Sequence, residues 1–404
     1  MKTAAIICEY NPLHRGHIRQ FAAIRAALGP DAAIVCLMSG SYVQRGAPAV
    51  FSAAERAEAA VRCGASLVLE LPLTASLSSA EGFAAKGVEV LDRLGVADTL
   101  CFGCESGDGN LIMSTASLLR SPEFAAALRE RLTAGDSFAA TRQKALEAVG
   151  GDGSILQSPN DILAVEYCKA LLVRDSAMTP LAIRREGGYH DETPDPENPS
   201  ATALRALMPD PAWLDYVPAP AADLFAKAVP HRLQWGERAI LARLRAMTEA
   251  EFEALPYGAE GLWRKLMTES RRAASLEELI SAVKSRRYAR SRIERMLLCA
   301  FLGVHAADLT APIDHVRVLA FDGVGRQLLR RAREHGQIDL VNAGQKTGDA
   351  LEERAARLYS LFLPPELPCP IPANERVFCL PDAEKPEKNM KKSLHSLASY
   401  DKII

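Results

Sequence analysis

No uninterrupted apolar run among the 404 residues approaches the ~18–20 needed to cross a bilayer, so no membrane-spanning helix is expected. Aromatic residues are scarce at 6%, and the core must therefore rely on Ala, Leu and Val. Neither sign of charge dominates. Lys+Arg number 48 against 50 Asp+Glu, a net charge of −2, so any nucleic-acid surface must be local and not spread over the chain. A 48% hydrophobic and 24% charged chain is not collagen-like, wholly disordered or a disulfide scaffold. With no signal peptide, the nine cysteines are expected to be reduced thiols of a cytoplasmic protein. Cys101 and Cys104 form the lone C-x-x-C, and no second pair lies nearby to favour zinc or redox chemistry. There is no internal repeat.

What is present is an alternation of strand and helix signals. Strands are predicted at Ala4–Cys8, Ala32–Met38, Leu67–Leu71 and Thr99–Phe102. Helices are predicted at Gly16–Leu28, Ser52–Cys63 and Ala80–Leu94, the second opened by a Ser52/Glu55 capping box. This βαβαβαβ order predicts an α/β fold, a Rossmann-like doubly wound parallel sheet. At roughly 100–200 residues per domain the length suggests two or three domains. Ser121–Val149 reads as helical, Leu181–Arg184 as a short strand and Glu192–Ser200 as a loop. Pro209, Pro211, Pro218 and Pro220 mark a linker between a first domain (1–210) and a mainly helical second domain (221–380). The second domain is not purely helical, because Val316–Leu340 reads as strand, helix, strand. The tail 381–404 carries Lys385, Lys388, Lys391 and Lys392 and is expected to be mobile.

The most informative segment is Ile7-Cys8-Glu9-Tyr10-Asn11-Pro12-Leu13-His14-Arg15-Gly16-His17-Ile18-Arg19-Gln20. A buried strand ends, an Asn-Pro turn follows, and His-x-Gly-His opens a helix. His14 and His17 face the same way in the first turn, beside free backbone N–H groups and the positive end of the helix dipole. Gly16 allows a ligand close to the backbone. Such donors suit a triphosphate, stabilising charge that builds up during attack at the α-phosphate. The alternative, incidental histidines, is disfavoured by the strand-to-helix context. A metal site is not predicted, since no third ligand has suitable spacing.

Three weaker signals agree. Ser200–Arg205 places hydroxyls and Arg205 at a helix start, either a second phosphate contact or a plain N-cap with a surface arginine. Gly103 follows the fourth strand, where a crevice ligand would lie, or is a simple turn. Arg184 and Arg185 end the late strand near Gly187, Gly188, Tyr189, His190 and Asp191, and suit phosphate or ribose contact, or are a surface pair.

Strand, Glu-Tyr-Asn-Pro-x-His-x-Gly-His, helix resembles the nucleotidyltransferase superfamily with a His-x-Gly-His signature. Cys8–His17, Met38-Ser39-Gly40, Gln44-Arg45-Gly46, Glu70-Leu71-Pro72, Phe102-Gly103 with Glu105, Ser158-Pro159-Asn160, Tyr189-His190-Asp191 and Ser200–Arg205 together resemble the bacterial tRNA(Met) cytidine acetate ligase family. The likeness continues weakly through Arg290–Arg295 and Arg317–Gly325. The resemblance implies that ATP and acetate give acetyl-adenylate and pyrophosphate, and that N4 of the wobble cytidine (position 34) of elongator tRNA(Met) then takes the acetyl group, releasing AMP. It implies an ATP site, with Mg2+, at Ile7–Gln20, Gly103, Asn160 and the Arg184-Arg185 pair, either of which matches the family arginine. His14, His17 and Arg205 would act in catalysis. Arg15 and Cys104 stand where small polar residues are expected. Carboxylate adenylation needs no covalent enzyme intermediate, so no nucleophilic cysteine or serine is required.

Residues 264–295 hold ten basic against four acidic side chains, a local footprint for RNA. Arg286, Arg287, Arg290 and Arg292 are the candidate contacts, with Tyr288 as a base-stacking ring and Arg326, Arg330, Arg331 and Arg333 as an extension. The plain alternative is a solvated helix face. Two rival functions remain open: a small-molecule adenylyltransferase, or an RNA-binding protein with an inactive nucleotide site. The sequence leaves the oligomeric state open.

Overall fold

The computed structural model describes residues 1–132, 137–185, 195, 198–208, 210–370 and 376–381. The strands are β1 (Thr3–Cys8), β2 (Ala33–Ser39), β3 (Tyr42–Val43), β4 (Ala47–Pro48), β5 (Leu67–Leu71), β6 (Thr99–Cys104), β7 (Thr179–Arg184), β8 (His315–Phe321), β9 (Asp339–Asn342) and β10 (Phe378–Cys379). The N-terminal half contributes helices α1 (Arg15–Leu28), α2 (Ala53–Arg62), α3 (Leu73–Ser76), α4 (Ala80–Leu94), α5 (Gly109–Leu118), α6 (Pro122–Arg131), α7 (Phe138–Ala148), α8 (Pro159–Arg174) and α9 (Ala201–Leu207). Beyond them come α10 (Ala219–Lys227), α11 (Glu237–Ala246), α12 (Glu249–Glu253), α13 (Leu262–Ser270), α14 (Leu276–Val283), α15 (Arg290–Leu302), α16 (Gly323–His335) and α17 (Ala350–Tyr359).

β2 is buried at every position. Such continuous apolar strands need helices on both faces, which is the condition of a parallel sheet. The alternating pleat sends Val35 and Leu37 to the face covered by α4 and α8, beside Phe83, Val88 and Tyr167. Ile34 and Cys36 face α1 and α2, beside Phe21, Ile24 and Ala57. The strand order is β10-β8-β5-β2-β1-β6-β7, with β9 on β8. Neighbours run parallel except β5 and β8, which are antiparallel. The order reverses between β2 and β6 on either side of β1, so a crevice opens at the carboxyl end of β1.

Two features differ from the sequence reading. The strand-helix-strand at Val316–Leu340, assigned by sequence to the second region, joins the first sheet, with Leu69 opposite Val318. Without β8, β5 would present a row of unpaired backbone groups at a sheet edge. Residues 210–220 pack against the first region: Pro218 stands at the N-cap of α10, and Phe51 of the α2 approach stacks on Phe225 (4.9 Å) and Trp213 (5.8 Å). Helices α11 to α15 and α17 form their own cluster around Leu244, Phe252, Leu266, Leu279 and Leu298. The tail 382–404 and the Gly187–Asp191 motif lie outside the described residues.

Candidate active site

The crevice at the end of β1 is built by the Asn-Pro turn. Asn11 Oδ1 accepts the Val50 N–H at 2.7 Å, and the Asn11–Pro12 peptide is cis. Ile7, Tyr10 and Leu13 are buried and anchor the turn. His14 is the N-cap of α1, in extended conformation (φ −144°, ψ 171°) and only 2% exposed. Its backbone N–H donates to His17 Nδ1 at 3.1 Å, and the two rings stack with centroids 3.7 Å apart. That bond leaves the proton of neutral His17 on Nε2. His14 Nδ1 is buried without a partner among the described residues, the condition of an atom directed at a ligand. A Cβ on Gly16 would come within 3.1 Å of that ring, so glycine is what admits it.

Burial, then the charges of Arg185 and Arg205, lower the His14 pKa to about 3. Burial, then His14 and Arg185, hold His17 well below its ordinary value. Both imidazoles are therefore neutral at neutral pH. The positive charge in the crevice comes from the arginines. Arg205 donates to the Asn11 carbonyl at 2.7 Å and to Thr202 Oγ1 at 3.1 Å. Ser200 is the N-cap of α9, accepting the Ala203 N–H. Burial lowers the Arg205 pKa, Glu9 raises it and Arg45 lowers it, which places three charged side chains in one neighbourhood.

The other wall comes from β6, β7 and α8. Glu105 Oε1 accepts from Asn160 Nδ2 at 2.7 Å and Glu105 Oε2 from the Asp161 N–H at 2.9 Å. Asp161, itself buried, accepts the Glu105 and Ser106 N–H groups at 2.9 and 3.2 Å. This reciprocal clamp fixes Asn160, whose Oδ1 receives Arg185 Nη1 at 3.4 Å. Gly103 serves the same arginine, since a Cβ there would press within 3.0 Å of the Arg185 stem. Arg184 instead packs its stem over Gly107. The structure thus brings His14, Gly16, His17, Gly103, Asn160, Arg185 and Arg205 together, and turns Arg184 aside. Arg15 and Arg19 are exposed, while Gln20 reaches Cys101 Sγ at 3.7 Å and Ile18 packs on the α1 face of the sheet. Cys101 and Cys104 point to opposite faces of β6, so the C-x-x-C spacing brings no thiols together.

Arg56 was not singled out by sequence. It is fully buried and donates to the carbonyls of Phe51, Glu9, Ser39 and Gly40, tying together the ends of β1 and β2. The available signal was its place on the alanine face of α2, three residues from Ala53 and four from Ala60. The Gln44–Gly46 tip between β3 and β4, part of the family resemblance but given no role by sequence, reaches the site. The Gln44 N–H donates to Glu9 Oε1 at 2.8 Å, and Gly46 (φ +85°) lies so close to α15 that a Cβ would overlap the Glu294 and Arg295 backbone.

Several side chains of the basic segment have partners within the fold. Tyr288 is only 9% exposed, its hydroxyl donates to the Glu260 carbonyl at 2.6 Å and Arg292 lies over its ring, so it is no stacking platform. Arg290 is held by Glu277 (2.7 and 2.6 Å) and Glu294 (2.7 Å). Arg292 donates to the Tyr257 carbonyl at 2.9 Å. These groups close the joints between helices, a use that sequence charge counts do not reveal. Arg286, Arg287 and Arg290 are exposed.

A parallel sheet with neutral histidines and arginines around the carboxyl end of β1 defines an α/β nucleotide-binding enzyme that handles phosphate. A family model described as HIGH Nucleotidyl Transferase matches residues 1–368. A tRNA(Met) cytidine acetate ligase of Clostridium novyi is 36% identical over 86% of this chain and 91% of its own. One of Syntrophotalea carbinolica is 35% identical over 90% and 95%. A crystal structure of Thermotoga maritima TmcAL bound with alpha-thio ATP superposes with a TM-score of 0.81 at 29% identity, covering 90% of this chain and 95% of that one. Its apo form gives 0.86 at 28% identity, covering 94% and 100%. The chain belongs to the HIGH nucleotidyl transferases and, within them, to the family of tRNA(Met) cytidine acetate ligases.

Proposed function

We propose that this protein is an ATP-dependent ligase that activates acetate as acetyl-adenylate and acetylates N4 of the wobble cytidine of elongator tRNA(Met). The observation that carries the reading is the convergence of His14, His17, Arg185 and Arg205 at the carboxyl end of β1. An acetate oxygen attacks the α-phosphorus, the bond to the β-phosphate oxygen breaks, and pyrophosphate leaves. Neutral imidazoles supply N–H donors without carrying charge of their own. The two guanidiniums supply the charge, and burial makes both effects stronger than in water. Arg185, steadied by Asn160 and Gly103, and Arg205, anchored on the Asn11 carbonyl, bracket the phosphates. The N4 amine then attacks the acetyl carbon, AMP departs and the amine loses a proton.

Mg2+ enters this reading on the triphosphate, offsetting its charge. No group of three or more His, Cys, Asp or Glu among the described residues could hold a metal. Residues 221–380 supply the RNA surface, with Arg286 and Arg287 among its exposed cations. No helix of the described residues is long and apolar enough to cross a membrane, and a tRNA substrate fits a cytoplasmic enzyme. Incubation with ATP, acetate and bulk bacterial tRNA, followed by mass spectrometry of nucleosides, tests the reading. N4-acetylcytidine with AMP and pyrophosphate is the expected result. AMP-modified small molecules with unmodified tRNA would move the assignment to the adenylyltransferase rival.

A further inference from the structure

Beside the histidine site a second cavity, of about 260 Å³, opens at the carboxyl ends of β2 and β5. Its walls include Gly40, Glu70, Arg317 and Glu352, with Lys346 and Arg357 among the residues around it. It adjoins the first site: one guanidinium, Arg56, spans from the Glu9 carbonyl to those of Ser39 and Gly40. Glu70 and Glu352 are each 13% exposed and flank Arg317 Nη1 at 3.4 and 3.2 Å. A Cβ on Gly40 would overlap Glu70 Oε1, so glycine there is what lets the carboxylate lie against the turn after β2. Three largely desolvated charges around an open space are an expensive way to stabilise a fold, since apolar side chains filling the same volume serve as well or better. The arrangement suits a ligand that offers donors and acceptors side by side.

We infer that this cavity receives the acceptor cytosine of a single-stranded RNA, an inference that rests on the acylation reading above. Cytosine presents an exocyclic amine next to the acceptors N3 and O2. A carboxylate beside a guanidinium matches that edge, Glu70 accepting from N4 and Arg317 donating to N3 or O2. Uracil would turn its O4 acceptor toward the Glu70 carboxylate. Lys346, exposed at the rim, meets the flanking phosphate. The base is thereby oriented with its reacting nitrogen read by a side chain of the β5 end, two strands along the sheet from β1.

The test measures binding of the full chain to two anticodon stem-loops identical except for C or U at the wobble position. The wild-type chain should prefer the C loop by about tenfold or more. Glu70→Gln, which can donate as well as accept, should bring the two affinities to within about threefold. A structural role for Glu70 would weaken both loops alike and leave their ratio unchanged, which overturns the assignment. Should Glu70→Gln fail to fold, Lys346→Ala on the exposed rim serves instead: it should weaken both loops several-fold, and undiminished affinity counts against the cavity. N4-acetylcytidine formation by the wild-type chain is measured in parallel. Its absence overturns the acylation reading, whereas acetylation without C-over-U preference overturns the cavity alone.

Discussion

At the scale of single residues, the site depends on imidazoles kept neutral by burial and by nearby guanidiniums. If His14 and His17 hold the triphosphate, His14→Ala or His17→Ala should each remove roughly 2.7–4 kcal/mol of transition-state stabilisation, about 10²–10³ in rate. Acetate-dependent pyrophosphate release measures this, with a thermal melt to show that the fold survives. Near-normal turnover in the double variant would sink the phosphate-site assignment. The same groups predict an acid limit to stability. A histidine depressed from 6.5 to about 3 in the folded state takes up its proton more readily when unfolded. Its contribution is therefore complete above pH 6.5 and declines as pH falls toward 3, at up to about 1.4 kcal/mol per pH unit. His17, also depressed, and His231, lowered to about 4 by burial, steepen the fall. Melting temperatures should drop between pH 6.5 and 4, and His14→Gln should flatten that drop. An unchanged slope would mean that His14 is not held neutral.

At the scale of elements, the loop after β6 and the first turn of α8 hold each other through Glu105 and Asp161. Asp161→Ala leaves two backbone N–H groups without their acceptor, a cost of about 1–3 kcal/mol if they stay buried. Because Asn160 steadies Arg185, the KM for ATP should rise more than the overall stability falls. Denaturant unfolding and steady-state kinetics separate the two. The β3–β4 tip makes the opposite kind of contact, linking the site to α15. Gly46→Val forces a β-branched residue into positive φ and into the α15 backbone, so it should destabilise by at least about 1–3 kcal/mol. A wild-type melting temperature would show that the tip does not pack on α15 in solution.

At the scale of the whole molecule, the proposed function assigns a small polyphosphate to the sheet and a large polyanion to the helical cluster. Arg286 and Arg287, exposed on the loop between α14 and α15, are the cations proposed to meet phosphate. Neutralising both should weaken tRNA binding and reduce its salt slope by about 0.7–0.9 for each phosphate no longer neutralised. Arg290→Ala should act differently, costing helix packing through Glu277 and Glu294 and leaving the salt slope in place. Filter binding across a salt series distinguishes them, and normal binding by the Arg286/Arg287 double variant would move the RNA surface elsewhere.

The sequence by itself determined the elements and the centre of the site. Strand β1, the Asn-Pro turn and His14-Arg15-Gly16-His17 opening α1 are local events, set by an apolar run, a turn dipeptide and the start of a helix. Apolar periodicity and capping residues likewise placed β5 and α4 at their observed bounds. Tertiary structure decided which charges are free to act. Arg184 and Arg185 are adjacent in sequence, and only the pairing of β7 with β6 turns Arg185 toward Asn160. Tyr288, Arg290 and Arg292 stand in one basic run of sequence, but only the fold buries Tyr288 against the Glu260 carbonyl and pairs Arg290 with Glu277 and Arg292 with the Tyr257 carbonyl. β8 finds its place only because β5, far earlier in the chain, lacks a neighbour on that side. Local propensity acts through neighbours along the chain, whereas the partner of a charge or of a sheet edge is chosen by packing between segments far apart in sequence.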